Sequence, residues 1–329
     1  NDLKGMNSLI DEMESALNGS GSGGKTEPET EPYLPSDDFH YDTSTSVDTG
    51  LVIADANGNE YVWVVVPKSL YNNTAYNSNN EKKPSSSTDY ANIEYCLQQY
   101  TATYRKDGYS DTYYADTANV GWFADETAYN NFKNSMLKSV YENGGFYVGR
   151  YEAGIETNRT TIEAQVDGKY LVPTTAPITK ANAYPYTYVT RTQAQNLASK
   201  VNSGSRTSSL MFGVQWDLVL AFMSKDTAKV TDTSILTTNS TTIGNYYDNL
   251  WTITNANAKY SEDNGSSFTA CPNPYKKESN SNILLTTGAD SSFSVQNIYD
   301  IAGNVNEWTL EKTSYTSFPC ASRGGNYYR

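Results

Sequence analysis

The stretch Asn297-Ile298-Tyr299-Asp300-Ile301-Ala302-Gly303-Asn304-Val305-Asn306-Glu307-Trp308-Thr309, followed by Arg323-Gly324-Gly325-Asn326, constrains this 329-residue chain more than any other feature. Two linked motifs in a fixed order carry far more information than a lone glycine-rich loop. Glu307 and Trp308 are neighbours, so a tryptophan turned into a core leaves the glutamate facing its own loop. A carboxylate placed there must be paired, because burying it alone costs on the order of several kcal/mol. Backbone N–H groups or a cation would each satisfy it.

The first stretch resembles the N-x-Y-D-x-A-G-N-V-W-E-W-T signature of the formylglycine-generating-enzyme (sulfatase-modifying-factor) family, a branch of the C-type-lectin-like fold. The second resembles that family's R-G-G strand. Gly145-Phe146-Tyr147-Val148-Gly149-Arg150-Tyr151-Glu152-Ala153-Gly154 is similar to its first core strand, and Val189-Thr190 with a helix over 191–201 to its first helix. Phe212–Met223 occupies the place of a further family helix but lacks that helix's arginine and paired glutamates. The resemblance covers residues 145–154, 189–223 and 295–326. It implies an α+β fold of the C-type-lectin-like, sulfatase-modifying-factor type: irregular, with a small twisted antiparallel sheet, two or three helices and long loops. Copper oxidases, iron enzymes and pure binding domains all occur in the family, so the resemblance speaks to fold more than to chemistry.

The family's oxidases hold copper through two cysteines just after R-G-G, because Cu(I) needs soft thiolates. Here Arg323-Gly324-Gly325-Asn326-Tyr327-Tyr328-Arg329 carries none, and Cys320 precedes the motif. The iron enzymes use three histidines, against a single histidine here, His40, in a Pro/Asp-rich linker. Neither copper nor iron is expected, and no catalytic residue is assigned. The family also binds Ca²⁺ at its G-N-x-W-E-W loop. The resemblance implies Asn304, Val305 and Glu307 as the metal set, with Asn306 in place of the usual tryptophan. The alternative is that Asn304 and Glu307 only hydrogen-bond the loop. The E-P-N and W-N-D signatures of calcium lectins are absent.

Composition narrows the function classes. The formal charge is −13, and no Lys/Arg cluster appears, which excludes nucleic acid as a partner and disfavours an anionic membrane. Cys96, Cys271 and Cys320 form no C-x-x-C pair, so zinc is not expected. A Cys271–Cys320 disulfide and three free thiols both remain open. No apolar run reaches membrane-spanning length. Tyrosine dominates the aromatics, 28 against 9 Phe and 5 Trp. Its mixture with Asn, Ser and Gly is the composition of antibody paratopes, where Tyr gives contact area at low entropy cost. Candidate ligand contacts are Tyr109, Tyr113 and Tyr114 in an insertion over 69–121, and Tyr246 and Tyr247 in a second over 225–292. Asn326, Tyr327 and Tyr328 complete the set. The variable proteins of diversity-generating retroelements share the fold and diversify the residues just after R-G-G.

Residues 1–18 read as an amphipathic helix, with Leu3, Met6, Leu9, Ile10, Met13 and Leu17 on one stripe. A flexible Gly/Ser then Pro/Glu linker follows over 19–48, and the globular domain over 49–329. The runs 51–54 and 60–66 predict strands around an Asn-Gly turn. Asp125 predicts the cap of a helix with Ala128, Phe132, Met136 and Val140 on one face, ended by Gly144. The front end resembles the stalk of a bacterial pseudopilin, which implies pilin subunits as partners. A helix docked on the protein's own head fits the layout too. The expected function is extracellular: a non-catalytic binding or adhesion domain at a bacterial cell surface, for a protein or glycan ligand. The alternatives are a formylglycine-generating-type oxidase whose active-site tail is missing, a retroelement-type variable binding protein, and a structural pilus-tip component.

Overall fold

The chain turns back on itself at Asp55, whose carboxylate accepts the N–H groups of Asn57 and Asn59 at 2.9 Å each. Gly58 supplies the left-handed residue (φ 81°) that the tight turn requires. In the computed structural model, which describes residues 31–71, 83–115, 122–160 and 164–329, the flanking runs form antiparallel strands Val52–Ala54 and Glu60–Val65. Gly145–Gly149 pairs with the second of these. His40–Tyr41 adds an outer strand, completing a four-stranded sheet.

That outer strand corrects the expected boundary at residue 49. Residues 32–329 form one compact unit, with Phe39 buried and the Tyr147 hydroxyl donating to the Tyr33 carbonyl at 2.8 Å. The amphipathic segment 1–18 lies outside the described residues.

Helices cover the sheet. Asp125 caps Glu126–Asn143 by accepting the Ala128 N–H, and Gly144 closes it in the left-handed conformation. The buried face centres on Tyr129, Leu137, Val140 and Tyr141, with Phe132 and Met136 at its margin, so the expected stripe is rotated. The predicted helix 191–201 is shorter, Arg191–Ala198, and starts with a Thr190/Gln193 capping box. It buries Arg191 and Gln195 beside Leu197, because polar neighbours receive them: Gln195 Oε1 accepts the Leu210 N–H at 2.9 Å. Gly213–Met223 is buried at every position except Gln215, as a central helix must be.

The insertion over 69–121 contains a helix over Ser87–Tyr100, capped by a Ser86/Asp89 box and buried through Ile93, Cys96 and Leu97. The 225–292 region folds around a second small core of Trp251, Ile253, Ala258, Cys271, Ile283 and Leu285 with short antiparallel strands. Five α-helices occur among the described residues, more than the two or three expected, and the named strand pairs are antiparallel. The architecture is mixed α+β with several small sheets. No disulfide joins the three cysteines. No helix of the described residues is long and apolar enough to cross a membrane.

Candidate functional site

Strand Glu307–Thr313 pairs with Cys320–Arg323, and the second strand ends in two left-handed glycines, Gly324 (φ 92°) and Gly325 (φ 76°). Both must be glycine. A Cβ on Gly324 would lie 2.4 Å from Glu307 Oε2, and one on Gly325 2.5 Å from the Tyr246 ring. The turn carries Asn326–Tyr328 beside the loop 303–306. Gly303 N–H donates to the Gly324 carbonyl at 2.8 Å, and Tyr327 N–H to the Asn304 carbonyl at 3.0 Å.

Between these segments lies a cleft of about 600 Å³. Asn326, Tyr327 and Tyr328 form one wall, Val305 and Asn306 a second, and Thr187, Tyr188, Asn264, Asn282 and Leu284 the remainder. Tyr327 donates its hydroxyl to Asn264 Oδ1 at 2.8 Å, and burial pushes that hydroxyl up to about 12. Tyr188 donates to the Asn264 carbonyl at 2.8 Å.

The ligand residues expected from sequence divide among several places. Asn326, Tyr327 and Tyr328 meet in the cleft. Tyr246 is buried beneath Gly325, its hydroxyl donating to the Gly324 carbonyl at 2.7 Å, so it supports the turn. Tyr247 is exposed, and its N–H donates to the Arg329 carbonyl at 3.2 Å. Tyr109 sits on the strand Tyr109–Ser110 and lines a separate cavity of about 380 Å³ with Asp111, Asp217, Glu311 and Arg323. Tyr113 packs on Tyr129, and Tyr114 faces the Arg191 guanidinium. Asn264, Asn282 and Asn306 were not among the expected ligand contacts, and loops far apart in the chain bring them together with Tyr188. Among their signals, only the Asn264-Gly265 turn is visible in the sequence.

Behind the cleft lie three carboxylates, Glu152, Asp300 and Glu307. Burial raises all three. Asp300 reaches about 7, and for Glu152 and Glu307 neighbouring negative charge adds to the upward push of burial. Gly288 N–H donates to Asp300 Oδ2 at 2.6 Å, and the Asn304 amide donates to Glu152 Oε1. Glu152 Oε2 and Glu307 Oε2 are buried without a hydrogen-bond partner.

The implied metal set fits this geometry in part. The unpartnered oxygens of Glu152 and Glu307 are hard donors of the kind calcium takes. Asn304 does not fit through its side chain. Its Nδ2 donates to Glu152 and to the Leu285 carbonyl at 3.0 Å. Its Oδ1 accepts from Asn245 Nδ2 and from Leu285 N–H, each at 3.0 Å. All four bonding positions of the amide are therefore used. The Val305 backbone N–H favours the charged form of Glu152, against the stronger upward push of burial. Among the described residues, no group of three His, Cys, Asp or Glu side chains converges at metal-binding distance. Glu152 was not expected in the site. Its signal was an acidic residue two positions after Arg150, at the end of the segment Gly145–Gly154 that resembles the family's first core strand.

Comparison with protein-family models, with curated proteins and with solved structures returns no match to this chain.

Proposed function

We propose that this chain is a non-catalytic binding domain, displayed at a bacterial surface, whose ligand enters the cleft beside Asn326–Tyr328. The observation that carries the reading is the lining of that cleft. It holds three tyrosines, four asparagines and no carboxylate, amine, guanidinium, imidazole or thiol. Such a lining offers contact area and adaptable hydrogen bonds but neither a general base nor a soft-metal ligand. The R-G-G turn gives the cleft a rigid wall, because its two glycines pack directly on Glu307 and Tyr246. The resemblance to the sulfatase-modifying-factor family supports a display role through that family's pure binding members.

Calcium belongs to the same proposal as a structural ion. Glu307 and Glu152 would hold it through their unpartnered oxygens, and Asn304 would fix the loop from behind. The ion would supply the positive charge that these two carboxylates lack, and nothing more.

Binding of the whole chain to a panel of extracellular proteins and oligosaccharides tests the reading. A ligand is expected whose binding Tyr328→Ala weakens while the thermal melt stays in place. Stoichiometric Cu(I) uptake with oxygen-dependent conversion of a cysteine peptide to formylglycine would overturn it.

A further inference from the structure

We infer that the ligand of this cleft is a neutral carbohydrate, held by asparagine amides at the rim against a tyrosine face. The inference rests on the binding reading above and narrows it to one chemical class.

Charge makes the first selection. No acidic or basic side chain lines the cleft. A charged group entering it would lose water and meet no opposite charge in the lining, the exposed Arg329 guanidinium standing 5.9 Å from the Tyr328 ring centroid. The whole chain carries −13, which further repels sialylated, sulfated or uronate-bearing glycans.

Hydrogen-bond chemistry makes the second. Leu284, Asn326 and Tyr327 form a buried floor, and Asn264, Asn282 and Asn306 stand exposed around it. An asparagine amide both donates and accepts, which matches a sugar hydroxyl that does the same. Asn264 and Asn306 spend their Oδ1 atoms on Tyr327 and Asn326, leaving their NH₂ groups for a ligand. Among the described residues, the Asn282 amide and the Tyr328 hydroxyl engage no partner.

Shape makes the third. The Tyr327 and Tyr328 rings meet edge to face with centroids 5.1 Å apart, and Tyr328 is half exposed. An exposed ring face suits the apolar C–H side of a sugar. A volume of about 600 Å³ is that of a small-ligand site, whereas a protein partner would cover roughly 800 Å² of surface. Tyr188, Asn264 and Asn304 all hold left-handed backbone near φ 57°, and hydrogen bonds tie Tyr188 to Asn264. The cleft is thus formed before a ligand arrives, which lowers the entropy lost on binding.

An array of neutral oligosaccharides, with sialylated and sulfated counterparts and a peptide array beside it, tests the inference on the full chain. Binding to neutral members is expected. Asn282→Ala and Tyr328→Ala should each weaken it about tenfold, as loss of a central contact does, without moving the melt. Tyr95→Ala, on the exposed face of helix Ser87–Tyr100, should leave it unchanged. Indifference of sugar binding to both cleft variants overturns the inference, and so does a preference for the anionic glycans. Peptides bound instead, and lost in the same variants, would remove the carbohydrate while sparing the binding domain. Silence on both arrays would remove both.

Discussion

Among the described residues, two clusters of three buried or half-buried carboxylates can be set side by side. Asp111, Asp217 and Glu311 share one cavity with Arg323, whereas Glu152 and Asp300 meet amide donors and Glu307 lies near both. Arg323 donates to both oxygens of Glu311, at 2.9 and 3.1 Å, and to Asp217 at 3.0 Å. Asp111 accepts the first two N–H groups of the helix Gly213–Met223, at 2.6 and 3.0 Å. The first group therefore carries an internal cation and a helix end, and its charge is largely answered within the chain. The second has N–H donors only, and two of its oxygens have none. The first group thus meets its charge with Arg323 and a helix end, and Asp111 and Asp217 add protons as pH falls through about 7. The second is completed by a proton or by a cation from solution.

The largest expected effect tests the first group. Arg323→Met leaves Glu311 and Asp217 buried without their cation, and should cost about 3–5 kcal/mol in chemical unfolding at pH 8. Burial pushes Asp217 up to about 7 despite the guanidinium beside it. At pH 5 Asp217 takes a proton, and the loss should shrink. A loss under about 1 kcal/mol at both pH values would erase the distinction between the groups.

Asn304→Ala comes next and disturbs the other group. It deletes four hydrogen bonds and strands the N–H and carbonyl of Leu285 together with Glu152. It also places alanine at φ 57°. A loss of about 3 kcal/mol is expected, read from denaturant midpoints at constant m. A value near zero would mean that the loop is held by its cross-strand contacts alone.

This contrast also marks what the sequence could disclose. The hydrogen-bonding role of Asn304 in its loop was readable because the motif that holds it is short. Capped helices at Glu126–Asn143 and Arg191–Ala198 were readable because each cap lies within a few residues of the helix it starts. The helix Ser87–Tyr100 escaped because its stripe is diluted by Tyr90, Glu94, Tyr95 and Gln98, although its Ser86/Asp89 box was in view. Glu152 and Asp217 gave no local sign of their partners, which lie 106 residues or more away in sequence. The cleft was half legible: Asn326–Tyr328 follow the R-G-G turn, but Tyr188, Asn264 and Asn282 reach it only through tertiary folding.

The second group is tested most directly by Glu307→Gln. With a chelator at pH 8, the neutral amide should melt higher than the wild type, because a buried unpartnered charge is removed. Calcium should then stabilise the wild type and leave the variant unmoved. Mass action sets the size, about 2.7 kcal/mol at a hundredfold excess over Kd. If chelator and calcium leave the wild-type melt alone, the calcium proposal fails. The carboxylate would then be satisfied by its proton.

The smallest effect separates the groups by pH. Burial raises Asp111 to about 7, with the Glu311 charge adding to it, against an ordinary value near 3.8. The folded chain therefore holds a proton that the unfolded chain releases between about pH 4 and pH 7. Stability contributed by this group is present below that window and is lost as pH rises through about 7. Asp300 has the same sign and reaches about 7 as well. Asp111→Asn should flatten the stability–pH curve between pH 5 and 7.5 by about 2–3 kcal/mol. It should also lower stability at every pH, because an amide accepts through one oxygen where the carboxylate accepts from both Gly213 and Val214. Calcium should not alter that slope, since this group already contains Arg323. The slope that calcium does alter should belong to Glu152 and Glu307, whose protons a bound cation displaces. Parallel curves with and without calcium in the Asp111→Asn protein would show that the second group answers to protons alone.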